Sequence, residues 1–191
     1  MTPLRSATLL AALVFAGAAP AGEYDAAMQS YLENQVRAWA SDPVIVEAIL
    51  AQNGRTADLP QSEIDALDTA WRGEVGTAST PTITPVLDNA ASDFLRARVA
   101  EAGGAITEAF AVDARGLNVA ASSVTSDYWQ GDEAKFTETY PNGPAGVHFG
   151  EVEFDESSQS YQGQISLTIT DPASGQPIGA MTIGVNAEFL L

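Results

Sequence analysis

The 191-residue sequence has no cysteine, a single lysine and a single histidine. Without cysteine there can be no disulfide framework, thiolate metal site, thiol nucleophile or lipid-anchoring cysteine behind a leader. Positive charge is scarce too: 8 basic residues face 25 acidic ones, a formal net charge of −17. Such a surface repels nucleic-acid phosphates and anionic lipid heads, which removes both from the list of partners. It is compatible with divalent cations or cationic ligands, although solubility alone accounts for it. Catalytic signatures are missing as well: there is no phosphate loop, Rossmann glycine pattern, nucleophile elbow or zinc-binding helix. The one histidine, His148, has no acid–base partner that spacing nominates. These absences point away from an enzyme and call for no cofactor.

Long apolar runs are confined to the start. Arg5 precedes the 13-residue run Ala7–Ala19, and Ala19-Pro20-Ala21 places small residues at the −3 and −1 positions of a cleavage site. The run is shorter than the roughly 20 residues a membrane-spanning helix needs. Residues 1–21 therefore read as a secretory signal peptide cleaved after Ala21. The mature protein is expected to be soluble, exported to a bacterial periplasm and not inserted in the membrane. Hydrophobic content of 46% suffices for one core, so residues 22–191 are expected as one domain.

Within that domain, residues 22–104 read as helical. Tyr24, Met28, Tyr31, Leu32, Val36 and Trp39 recur at three- and four-residue steps over about 23–40. Ser41-Asp42-Pro43 interrupts the pattern, with Asp42 as N-cap and Pro43 at the first helical position. A second helix follows and is expected to stop at Gly54; a third carries Ile64, Leu67 and Trp71. Gly73 to Pro85 reads as irregular, with Thr82-Ile83-Thr84 as a short extended piece. Leu87, Ala91, Phe94, Leu95 and Val99 mark a fourth helix ended by Gly103-Gly104.

From residue 105 to 191 the period becomes 2. Ile106, Phe110 and Val112 lead to the turn Asp113-Ala114-Arg115-Gly116 and the return strand Leu117, Val119, Ala121. Three further strands follow. The first changes parity at Gly150, as a β-bulge would, and carries the acidic edge Glu151, Glu153, Asp155 and Glu156. The second alternates Tyr161, Ile165, Leu167 and Ile169 with Gln162, Gln164, Ser166 and Thr168. The third places Met181, Ile183 and Val185 opposite Thr182 and Asn186. The fold class is α+β, with N-terminal helices packed on a five-stranded antiparallel sheet.

Between the hairpin and these strands lies Ser122–Tyr140, the window richest in functional groups. It holds hydroxyls, Tyr128-Trp129, Gln130, the carboxylates Asp127, Asp132 and Glu133, and the only lysine, Lys135. Gly131 at its middle permits a tight turn or close backbone approach. Trp129 and Tyr128 suit a partly desolvated organic ligand, and Asp132 suits an ammonium or neutral polar group. The competing reading packs Trp129 in the core and makes Asp132 a helix cap. Asp127, Asp132 and Glu133 are weak candidates for a cation site, since their spacing misses the EF-hand loop.

Three segments carry a family resemblance: Val112–Ser122, Asp127–Glu133 and Pro177–Asn186. Their order resembles that of the extracytoplasmic PAS-like sensor domains called Cache or PDC domains, here as a single-Cache-type, standalone exported form. The resemblance implies a PAS-like sheet, with a small-ligand pocket between the sheet and the Ser122–Tyr140 connection. Its walls would be Tyr128, Trp129, Asp132 and Tyr140, and its floor the polar strand face with Gln164 and Ser166. The aromatic–arginine pattern by which many such domains hold amino acids is absent, since Gln130 follows Tyr128-Trp129. The function this implies is a periplasmic sensor module that captures a small polar ligand and presents it to a membrane receptor or kinase. The alternatives are a ligandless acidic interaction domain and a divalent-cation-binding module.

Exported protein is expected to begin at Gly22, which N-terminal sequencing checks. Retention of Met1–Ala21 in a membrane fraction would contradict it.

Overall fold

The computed structural model describes residues 21–155 and 160–190. The leader expected over residues 1–21 thus lies, apart from Ala21, outside the described residues, as does Glu156 of the acidic edge. The chain opens with α1 (Ala21–Tyr31), a π-helical turn (Leu32–Val36) and α2 (Arg37–Ala40), which follow one another without a break. Met28, Leu32 and Val36 are buried along it, as the three- and four-residue spacing predicts. Asp42 then caps α3 (Pro43–Thr56), its carboxylate accepting the Val44 N–H at 3.0 Å. α4 (Gln61–Glu74), α5 (Ile83–Leu87) and α6 (Ala90–Glu101) complete the helices before the sheet. Among the described residues, no helix is long and apolar enough to cross a membrane.

Three local expectations are corrected here. Helix α3 does not stop at Gly54 but runs on to Thr56. Its last turn is held from outside, because Gln52 and Thr56 both bond the buried Asp113 carboxylate. The segment Thr82-Ile83-Thr84 is not extended. The Glu74 carboxylate accepts the N–H groups of Thr82 and Ile83 and so starts α5 there. Leu87 belongs to α5 rather than to the next helix, since Asn89 caps α6 through the Ser92 N–H at 2.9 Å.

The strands are β1 (Ile106–Asp113), β2 (Asn118–Ala121), β3 (Val147–Phe149), β4 (Glu153–Asp155), β5 (Ser160–Thr170) and β6 (Pro177–Asn186). They form one antiparallel sheet in the order β2-β1-β6-β5-β3, with β4 also on β5. The α+β architecture is the expected one. Its fifth strand, however, is two short pieces, since pairing with β5 lapses from Gly150 to Val152. Gly150 still donates its N–H to the Gln164 carbonyl, so the parity change falls where the alternation placed it.

One sheet face carries Ile165, Leu167, Ile169, Met181, Ile183 and Val185 into a single apolar cluster with Met28, Leu32, Ile45, Ile49 and Leu95 from the helices. The opposite face is polar in sequence yet largely buried: Ser166, Thr168 and Thr182 are 0%, 6% and 2% exposed. It is covered by α7 (Ala134–Thr137) and a 3-10 turn (Tyr140–Asn142). Phe136 and Tyr140 from this cover join Phe110, Val112, Ala121 and Ala180 in a second cluster.

Asp113 ties the hairpin to the helices. Its Oδ1 accepts the N–H groups of Arg115 and Leu117 at 2.8 and 3.0 Å. Its Oδ2 accepts Gln52 Nε2 at 3.1 Å and the Thr56 hydroxyl at 2.7 Å. Asp113→Ala leaves several buried donors without an acceptor, each costing about 1–3 kcal/mol, so a loss of roughly 3–5 kcal/mol is expected in denaturant unfolding. Asp113→Asn should fall between the two: Gln52 cannot turn its amide to suit, because Nε2 also serves the carbonyls of Leu117 and Asn118. Equal stability of Asp113→Asn and the parent would contradict this role.

Candidate functional site

The Ser122–Tyr140 connection begins as an outer partner of the hairpin. Asn118 N–H donates to the Tyr128 carbonyl and Gln130 N–H to the Gly116 carbonyl, with Leu117 and Trp129 bridged between them. Gly116 adopts φ +78°, and a Cβ there would come within 2.6 Å of the Gly131 Cα. A Cβ on Gly131 would lie 2.2 Å from Trp129 Nε1. The close approach expected at Gly131 is therefore present: two backbones meet where side chains do not fit.

Helix α4 fixes this segment from the other side. Asp68 Oδ1 accepts the N–H groups of both Tyr128 and Trp129, at 2.9 and 3.1 Å. Arg72 pairs with Asp68 at 2.8 Å and reaches Asp127 at 3.6 Å. Trp71, fully buried, donates its indole N–H to the Thr125 carbonyl and stacks on Tyr128 at 5.4 Å between ring centres. Trp129 is half-buried and spends its own indole N–H on the Arg115 carbonyl at 2.9 Å.

The six residues expected to share one pocket are distributed over several surroundings. Tyr128 is buried and reaches a groove on the helix side of the molecule. Asp132 is exposed and is not the helix cap either: Glu133 holds the N-cap position of α7, without a side-chain bond. Tyr140 stacks on Phe136 at 5.3 Å above the polar sheet face. Ser166 lies beneath that cover, bonded to Thr182 at 3.0 Å, and Gln164 lines a shallow depression near Glu151 and Phe154. His148 pairs across β3 and β5 with Ser166.

Three buried oxygens near this face have no protein partner: Asn118 Oδ1, Gln130 Oε1 and Thr168 Oγ1. Asn118 and Thr168 end one cross-strand row, Asn118–Val112–Ala180–Thr168. Three strand spacings of about 4.8 Å separate them, so these two do not converge on one ligand atom. The cation candidates are likewise engaged separately, Asp127 with Gln130 and Arg72, Glu133 with Lys135. Among the described residues, no three acidic or histidine side chains are grouped to hold a metal.

A further opening lies elsewhere, on the edge of the sheet where α3, α5 and β2 diverge. It is an open groove of about 690 Å³, lined by apolar side chains that include Val44, Ala48, Leu67, Pro85, Val86 and Val119. Tyr128 closes one part of it, and Arg55 and Glu47 of α3 add charge. This groove was not legible in the sequence, because its lining is mainly apolar and is assembled from α3, α5, β2 and the Tyr128 segment, which are distant along the chain. One signal was present. Arg37, Arg72, Arg96 and Arg98 each have a carboxylate three or four residues away within the same continuous helical run, whereas the only one so spaced from Arg55, Asp58, lies past the end of α3.

No family model matches the sequence, and no curated protein matches it. Solved structures do share the fold. The sensor domain of the V. cholerae histidine kinase DctB superposes with a TM-score of 0.50 at 12% identity, over 88% of this chain and 54% of that one. The ligand-binding domain of the Campylobacter jejuni chemoreceptor Tlp3, in complex with L-valine, gives 0.42 at 13% identity, over 91% of this chain and 66% of that one. The chain thus spans little more than half the length of the first. The likeness is one of fold: the chain shares the α+β fold of the DctB sensor domain.

Burial pushes the Tyr128 phenol up to about 12 from an ordinary 10.0; the Asp113 carboxylate adds to this and Arg55 opposes it. The folded state favours the neutral phenol. That contribution to stability is complete below pH 10 and is lost as the pH rises through about 12. In a spectrophotometric titration, one of the five tyrosines should ionise near pH 12, and Tyr128→Phe should remove that late step. Ionisation of all five near pH 10 in the folded protein would contradict it.

Proposed function

We propose that the protein is a ligand-binding sensor module, exported and soluble after processing, that captures a small molecule and presents it to a membrane signalling partner. The observation that carries this is the groove bounded by α3, α5 and β2. It has a size suited to small organic molecules, a mainly apolar lining and a few polar groups, as ligand sites have. Tyr128 is pre-positioned at it by two backbone bonds to Asp68 and by the stack on Trp71. Loss of rotamer freedom on binding is therefore small on that side. The fold shared with the DctB sensor domain supports the same reading.

The Trp129–Asp132 locus is the rival position for a ligand, and the two are separable. A thermal-shift screen of small acids, amines and amides should yield a compound that raises the melting temperature, because binding to the folded state alone stabilises it. For that compound, Ala51→Phe, an exposed substitution that fills the groove, should abolish the shift. Asp132→Asn should leave it unchanged. The reverse pattern would move the site to the Ser122–Tyr140 connection. A screen without any stabilising compound would favour the ligandless, acidic interaction domain.

A further inference from the structure

In a chain this acidic, a cation without a carboxylate partner stands out. Arg37 pairs with Glu33, Arg72 with Asp68, Arg96 with Asp93, Arg98 with Glu101 and Lys135 with Glu133. Arg115 donates to the Ala57 carbonyl at 3.1 Å. Among the described residues, Arg55 is the one cation that makes neither a hydrogen bond nor an ion pair. It is exposed, stands in the last turn of α3 and lines the groove near Tyr128. The helix end favours the arginine's own charge rather than an anion's, so any recognition of an anion here rests on the guanidinium itself.

The groove around Arg55 is mainly apolar, with the uncharged polar side chains of Gln52, Thr56 and Asn89 among its lining, and its one acidic lining residue lies at a distance. Glu47 precedes Arg55 by eight residues on the same helix, about 12 Å along the axis. We propose that the groove takes an organic monocarboxylate with an apolar body, its carboxylate held by the Arg55 guanidinium and its body lying on Val44, Ala48, Val86 and Leu67. This rests on the groove being the ligand site. The planar fork of donors fits a carboxylate with two parallel bonds, which a neutral amide cannot match. A second carboxylate at the far end of an extended ligand would approach Glu47 and be repelled. The preference is therefore for one charge and one apolar tail.

Octanoate, octanamide and octanedioate are matched probes of similar length, and isothermal titration of the full chain compares them. Octanoate should bind about tenfold or more tighter than either of the others, since a bond to a charged group is what the others lose or offset. Arg55→Gln should erase the advantage over octanamide while lowering the melting temperature of the free protein only slightly, because Arg55 makes no hydrogen bond or ion pair in the fold and only its charge at the helix end is lost. Ala51→Phe should block all three. If octanamide binds as tightly as octanoate and Ala51→Phe blocks both, the groove is the site and the monocarboxylate inference is wrong. If octanoate keeps its advantage in Arg55→Gln, the inference is also wrong. If no probe binds, or binding ignores Ala51→Phe, the inference falls together with the groove.

Discussion

The buried Asp113 carboxylate is the constraint on which the rest of the structure depends. It closes the β1–β2 turn through two backbone N–H groups and holds the end of α3 through Gln52 and Thr56. A fully buried carboxylate is costly unless its lone pairs are filled, and here four donors fill them. The consequence is positional. The C-terminal turn of α3, which carries Arg55, is fixed against the same hairpin that the Tyr128 segment lines on its outer side. Both walls of the groove are thus referred to one side chain.

Asp113 is the most buried case of a recurring device. Asp42 caps α3, Glu74 starts α5, Asp68 holds the backbone of Tyr128 and Trp129, and Asp171 turns the chain between β5 and β6. At Glu74 desolvation pushes the carboxyl up, yet the hydrogen bonds from Thr82 and Ile83 prevail and hold it below the usual range. Each of these carboxylates takes backbone N–H groups that helix starts and turns leave without partners. The acid excess in the sequence is therefore partly structural. Its sign says less about the ligand than composition alone implied: among the described residues of a protein of net charge −17, the Arg55 guanidinium makes no ion pair.

Much of the fold was legible in the sequence. The helix-to-strand change of period at Gly104, the Asp113–Gly116 turn, the Asp42-Pro43 restart and the parity change at Gly150 all correspond to observed features. What was not legible came from bonds between residues distant in sequence. Glu74 makes a helix where Thr82-Ile83-Thr84 read as extended, and Asp113 carries α3 past Gly54. The candidate groove was not legible for a related reason. Tyr128-Trp129 and Asp132 are adjacent in sequence, but Tyr128 turns to α4 and the groove, Trp129 to the Arg115 carbonyl, and Asp132 to solvent. Functional-group density marked a segment whose backbone is anchored at several points, whereas the opening formed between helices that looked like plain core.

Two faces thus compete as the place for a ligand: the α3–α5 groove, and the polar sheet face that α7 covers. On the sheet face, Phe136 and Tyr140 pack into the cluster with Phe110 and Ala180, so a ligand there would have to displace α7. The groove needs no such rearrangement. Chemical-shift mapping with a ligand that stabilises the protein tests this most directly. Perturbations are expected to concentrate at Ala51, Arg55, Val86 and Tyr128, with the amides of Phe136, Tyr140 and Ser166 unmoved. Perturbations centred on Phe136, Tyr140 and Ser166, with α3 silent, would contradict it.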